Sequence, residues 1–138
     1  MRFWLVSLVF LAVSLSGCSD TIDGKGIAEP EVARFHENLK RRDFDTMYAA
    51  TGDEFKSNAP KAKVVALFAA IDRKLGPLRE TRQINWNVNT HNLVTTVALV
   101  YQSRFEAGEA TETFTVRVRN GTPELIAYNI SSLDMLIK

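Results

Sequence analysis

Cysteine is all but missing from this sequence: Cys18 stands alone. One thiol permits no intramolecular disulfide and no cysteine metal cluster, which removes disulfide scaffolds and zinc-ribbon classes together. Histidine is nearly as scarce, with only His36 and His91. Neither sits at a sequence spacing that fixes an acidic residue beside its ring, and neither can lean on a cysteine, so nucleophilic catalysis finds no support. An excess of one charge is lacking too, with Lys plus Arg at 17 against Asp plus Glu at 16. Nucleic acid and anionic surfaces ask for a clear basic stripe, so a nucleic-acid partner is not expected. Gly24-Lys25-Gly26 is too short for a phosphate loop and lacks the strand-to-helix setting such a loop needs. Asp43/Asp45 and Asp53/Glu54 lack the dense oxygen spacing of a calcium loop and read as a helix cap and a solvated turn. No metal site and no cofactor are predicted.

No apolar run is long enough for a comfortable bilayer span, which takes about 20 residues. What is present is shorter and differently flanked. Met1-Arg2 gives a positive start, Phe3 to Val13 is almost wholly apolar, and Leu15-Ser16-Gly17-Cys18 closes the run with small residues, the pattern of a processed export signal. Leu15-Ser16-Gly17-Cys18 resembles the lipobox of bacterial lipoproteins. The resemblance implies cleavage before Cys18, a diacylglycerol on its thiol and an acylated new amino terminus; the competing reading is a buried or redox cysteine. Removing residues 1–17 takes Arg2 out of the basic count and leaves 16 charges of each sign. In lipoprotein sorting, acidic residues directly after the cysteine are associated with inner-membrane retention. Ser19 holds that place here and Asp20 follows it, so the resemblance implies a cell-envelope protein anchored to the outer membrane and facing the periplasm.

Beyond the signal, residues 18–29 are polar and glycine-containing and read as a flexible tether. Residues 30–138 read as a single domain. Pro30 and Glu31 suit a helix start, and Val32, Phe35 and Leu39 share one face of a helix over Pro30 to Arg41. Asp43 suits the cap of a further helical piece with Phe44, Met47 and Tyr48, which either continues the first helix or follows a kink. Phe55 anchors a polar connection. Val64, Val65, Leu67, Phe68, Ile71 and Leu75 then make a broad helical stripe that Gly76-Pro77 stops.

After Pro77 the apolar period falls from about 3.6 to 2. Ile84, Trp86 and Val88 form one face of a first strand, and Thr90-His91-Asn92 a turn. Leu93, Thr95, Val97, Leu99, Tyr101, Ser103 and Phe105 face one way on a long second strand. Phe114, Val116 and Val118 do so on a third, with a turn near Gly108 between them. Asn120-Gly121 suits a tight hairpin, and Ile126, Tyr128 and Ile130 line a fourth strand opposite Leu125, Ala127 and Asn129. The tail from Ser132 to Lys138 is expected to pack at the sheet edge.

Two or three helices followed by four antiparallel strands must bury one sheet face under the helix stripes, which predicts an α+β roll with a curved sheet and a cone-shaped hollow. This order resembles the cystatin-like or nuclear-transport-factor-2-like superfamily over about Pro30 to Ser132. Asp43 to Tyr48, Glu54-Phe55, Lys74-Leu75-Gly76 and Ala127 to Ile130 look like those of a poorly characterised group of small exported bacterial proteins with this domain. The superfamily hosts isomerases, dehydratases and binding modules alike, so the resemblance implies a fold and an exported life.

Tyr48, Trp86, Tyr101 and Tyr128 are the candidates for lining the hollow, since each joins apolar area to one polar atom; ordinary core packing is the competing role. Gln102, Arg104, Arg117 and Arg119 fall on the opposite, polar side of the sheet, a candidate interaction face. The expectation is a non-catalytic, lipid-anchored binding or interaction module with an envelope protein as partner. The alternatives are a small-molecule enzyme or ligand carrier using the cone, and an envelope immunity or inhibitor protein.

Overall fold

The computed structural model describes residues 23–138; the segment read as an export signal and Cys18 lie outside the described residues. The Asp23 side chain accepts a hydrogen bond from the Lys25 amide and caps α1, Gly24–Lys40. The helix therefore starts well before Pro30, and the flexible stretch expected up to residue 29 is already helical from Gly24. Pro30 lies inside α1 on its exposed side, at the expense of one backbone hydrogen bond. Arg42 takes a positive φ of 59° and ends the run. Asp43 then accepts from the Thr46 amide at 3.2 Å and starts α2, Phe44–Ala49, as a separate piece. The Phe55 connection is itself a short helix, α3, Asp53–Asn58, followed by α4, Lys61–Leu75. Gly76 stops α4 at φ 73°, a conformation that costs glycine little.

The sheet is a four-stranded antiparallel meander in the order β1-β2-β3-β4. Its strands are β1 Leu78–His91, β2 Val94–Phe105, β3 Gly108–Arg119 and β4 Thr122–Ser131, and the short α5, Leu133–Ile137, follows. Val32, Phe35 and Leu39 of α1 join Phe68, Ile71 and Leu75 of α4 in one core with Val97, Leu99, Phe114 and Val116 of the sheet. The predicted alternation of β2 and β3 holds over this core, and the α+β architecture is as expected.

Four local expectations are corrected. Leu93 is not a strand residue: Asn92 and Leu93 both have positive φ, 48° and 63°, and form the two-residue turn between His91 and Val94, the geometry of a type I′ hairpin. The Leu93 side chain is 92% exposed. Second, Ile84, Trp86 and Val88 do not reach the core. They lie on an edge strand that the helices leave largely open and are 47%, 52% and 37% exposed. Third, the register of β4 shifts between Leu125 and Ala127, which leaves Ile126 as an extra residue and turns Leu125 inward, opposite Val116. A bulge resets side-chain parity, so simple alternation puts Leu125 on the wrong face. Fourth, the tail is tied down only in part. Asp134 accepts from the Glu109 amide and Lys74 donates to the Met135 carbonyl, while Leu133, Leu136 and Ile137 face solvent.

Candidate functional site

The inner face of β3 reads Ala110, Glu112, Phe114, Val116, Val118, and every one of these is buried. Strand parity alone thus carries a carboxylate into the core, fully enclosed at Glu112. From the other side α1 brings His36, which belongs to the same stripe as Val32, Phe35 and Leu39. The two meet at 2.8 Å between His36 Nε2 and Glu112 Oε2. This overturns the expectation that no acidic residue orients either histidine. Ser103, inward-facing on β2, donates its hydroxyl to the same carboxylate oxygen. Tyr128 of β4 donates to Oε1 at 2.7 Å. The result is a four-member network drawn from one helix and three strands, with a carboxylate at its centre.

Aromatic rings close round it. Phe114 lies 5.3 Å from the His36 ring and 5.0 Å from Phe35, and Phe35 lies 4.7 Å from Tyr128. Tyr101 stands edge-on to His36 at 5.7 Å. Burial pushes the Glu112 pKa upward, but the hydrogen bond and charge of His36, with the Ser103 and Tyr128 hydroxyls, outweigh it and hold the carboxyl below its ordinary range. Burial, and then the charge of Glu112, push the Tyr128 phenol well above its ordinary value. Burial, and then the charge of Glu29, raise Tyr101 as well. Chemically the group is an oriented acid–histidine pair with a phenol and a hydroxyl, the partners of general acid–base chemistry, enclosed by the residues that hold it.

The four aromatic candidates separate. Tyr128 is a member of the network and Tyr101 stands in its wall. Tyr48 packs against the core and donates to the Ala59 carbonyl at 3.2 Å. Trp86 stands apart on the edge strand with the Lys25 ammonium 5.8 Å from its ring centre. Gln83, opposite Tyr101 in register, has a buried side-chain nitrogen with no acceptor among the described residues. His91 is exposed beside the β1–β2 turn. Among the described residues no three His, Cys, Asp or Glu side chains converge as metal ligands.

Gln102, Arg104, Arg117 and Arg119 all lie on the sheet's outer face, but internal partners hold three of them. Arg104 pairs with Glu80, Arg117 with Glu54, and Gln102 accepts from the Thr111 hydroxyl at 3.2 Å. Of the carboxylates read as cap and turn, Asp43 caps α2, Asp45 pairs with Lys61 at 2.8 Å, and Glu54 takes Arg117. Among the described residues the helices leave the β1–β2 part of this face open, while Glu54 of α3 reaches it at Arg117. A shallow groove of about 620 Å³ opens there, lined by Asn87, Asn89, Thr96, Ala98 and Arg117 among others.

No protein-family model matches the chain, and no curated protein matches it. Solved structures do. A protein of unknown function with a cystatin-like fold from Nostoc punctiforme aligns with a TM-score of 0.55 and 19% identity, over 75% of this chain and 86% of that one. An NTF2-like protein from Cytophaga hutchinsonii aligns with a TM-score of 0.52 and 10% identity, over 80% and 99%. At such identities the likeness concerns the fold alone. The described domain has the α+β fold seen in these cystatin-like and NTF2-like proteins.

Proposed function

We propose that this chain is a lipid-anchored binding module of the bacterial cell envelope. In this reading Cys18 holds it to the outer membrane, on the periplasmic side, and the domain recognises an envelope protein without catalysing a reaction. One observation carries the reading: among the described residues the inner face of the sheet is filled, while the outer face bears an open groove beside Arg117. Glu112 and Ser103 are both fully enclosed, and His36 is 7% exposed, so a substrate meeting the pair would first have to displace core aromatic rings. An open sheet face needs no rearrangement to meet a partner, and its asparagine, threonine and arginine side chains offer both donors and acceptors. An immunity or inhibitor role is one form such recognition takes.

The competing reading, a small-molecule enzyme or carrier of isomerase or dehydratase type, draws on the His36–Glu112 pair. The two separate by experiment. Envelope proteins are crosslinked to the anchored protein and the partner recovered is titrated against the soluble domain. Arg117→Ala with Thr96→Glu, which alters the groove, is expected to weaken binding at least tenfold, and His36→Gln, after its fold is verified, to leave it within about twofold. Turnover of a small molecule that disappears in His36→Gln, with binding to any partner unaffected by the groove substitutions, rejects the proposal in favour of the enzyme.

A further inference from the structure

Trp86 and Val88 lie on the inner face of β1, and the bulged Ile84 and the hairpin-tip Leu93 flank them in sequence, all four of them exposed apolar side chains of this edge strand and its turn. Trp86 and Val88 share this face with Leu99 and Val97, their partners in register. The core has no use for the outer part of the row. Leu93 contributes no burial and occupies a backbone conformation that disfavours a bulky side chain. The chain enters the domain at this same row: a Cβ on Gly24 would touch Thr95, Val97 and Val88. Thr95 is two residues from Leu93 in the chain, just inside β2. Lys25, the next residue, stands over Trp86.

Five residue steps separate Asp23 from Cys18, a reach of at most about 17 Å even when fully extended. A lipid on Cys18 would therefore keep this edge of the domain within about 17 Å of the bilayer surface. We infer that the Ile84–Trp86–Val88 row and Leu93 form a membrane-docking edge, whose occupant is the lipid surface in which the anchor sits. The inference rests on the lipid-anchored reading above. Apolar side chains around a tryptophan suit the headgroup boundary, where an indole meets both hydrocarbon and water. Docking along β1 also shields the open edge of the sheet from pairing with other strands. With β1 lying on the membrane the sheet stands up from it, and the outer face remains open to a partner in the periplasm.

Cleavage before Cys18 leaves Trp86 as the single tryptophan, since Trp4 is the other, and so a built-in probe. The full processed protein is reconstituted into vesicles of phosphatidylethanolamine and phosphatidylglycerol, with and without brominated acyl chains, and its intact mass is recorded. The expected result is a lipid-modified mass together with Trp86 emission at least halved by the brominated lipid. Ile84→Thr/Val88→Thr, which keeps β-forming side chains, and Leu93→Gly, which suits the turn, should each recover most of that emission while the protein remains anchored. A lipidated protein whose Trp86 is not quenched overturns the docking edge and leaves the anchor standing. An unlipidated mass removes the anchor, and the inference with it. Emission that follows protein density instead of bromine assigns the row to a second copy of the chain and also overturns it.

Discussion

Glu112 concentrates more of the molecule's energetics than any other polar residue described. An enclosed carboxylate is tolerated only while its partners remain, and removing it leaves the His36 ring and the Ser103 and Tyr128 hydroxyls facing a cavity. Glu112→Ala is expected to cost about 3–5 kcal/mol in denaturant melts, the range for breaking a buried pair; Tyr128→Phe, which removes one hydroxyl, should cost about 1–2 kcal/mol. The acid limb of stability follows from the same group. The folded-state pKa of Glu112 lies below the ordinary 4.5, so its contribution is complete above that value and is lost as pH falls through the folded pKa. Unfolding free energy measured from pH 6 downward should therefore fall less steeply in Glu112→Gln than in the parent. Leu93 has the opposite character, a side chain the fold does not need in a conformation it resists. Leu93→Gly should raise stability by up to about 1 kcal/mol, read from the denaturation midpoint.

Among the elements, α4 and β1 mark the extremes of support. Phe68 on α4 is fully buried, 5.4 Å from Phe35 and 6.1 Å from Tyr128 between ring centres. Phe68→Ala opens a cavity at the junction of α1, α4 and β4 and is expected to cost about 3–5 kcal/mol. A loss below about 1 kcal/mol in an equilibrium melt would contradict this packing. Strand β1 is instead joined to the sheet along one side only, and most of its side chains are exposed. Its amides should exchange hydrogen faster than those of β2 and β3, with residues 84–91 the first to lose protection. In the presence of the proposed lipid surface that order should reverse, because a covered edge no longer frays.

Among the described residues, a filled inner face stands against two open surfaces, the groove on the outer sheet face and the β1 rim. The proposed anchoring at Cys18 would connect them, since it would decide which surface meets the bilayer. Intact-mass analysis of the membrane fraction should show a lipid-modified chain beginning at Cys18, and Cys18→Ser should abolish the modification. Full-length unmodified protein in the cytoplasm would reject the anchor outright.

The sequence by itself determined what depends on near neighbours. The α4 stripe, the Asp43 cap, the Gly76 stop, the alternation of β2 and β3 and the Asn120-Gly121 turn are each decided within a few residues, by helical period, strand parity or a single φ angle. The membership of His36 in the α1 stripe and of Glu112 in the β3 alternation was also legible, since His36 lies four residues after Val32 and within the stripe that ends at Leu39, and Glu112 lies two residues before Phe114. What the sequence did not carry was their meeting. These residues are 76 apart in the chain, and no local spacing records a contact made by laying a helix across a sheet. The bulges at Ile84 and Ile126 were hidden for a related reason, because one extra residue in a strand is defined only against its partner. Trp86 shows the same limit from the opposite side. Its alternating pattern forms an apolar face, but whether an apolar face becomes core or surface depends on what packs over it. That was decided in three dimensions, where α1 crosses the sheet yet leaves Ile84, Trp86 and Val88 largely exposed.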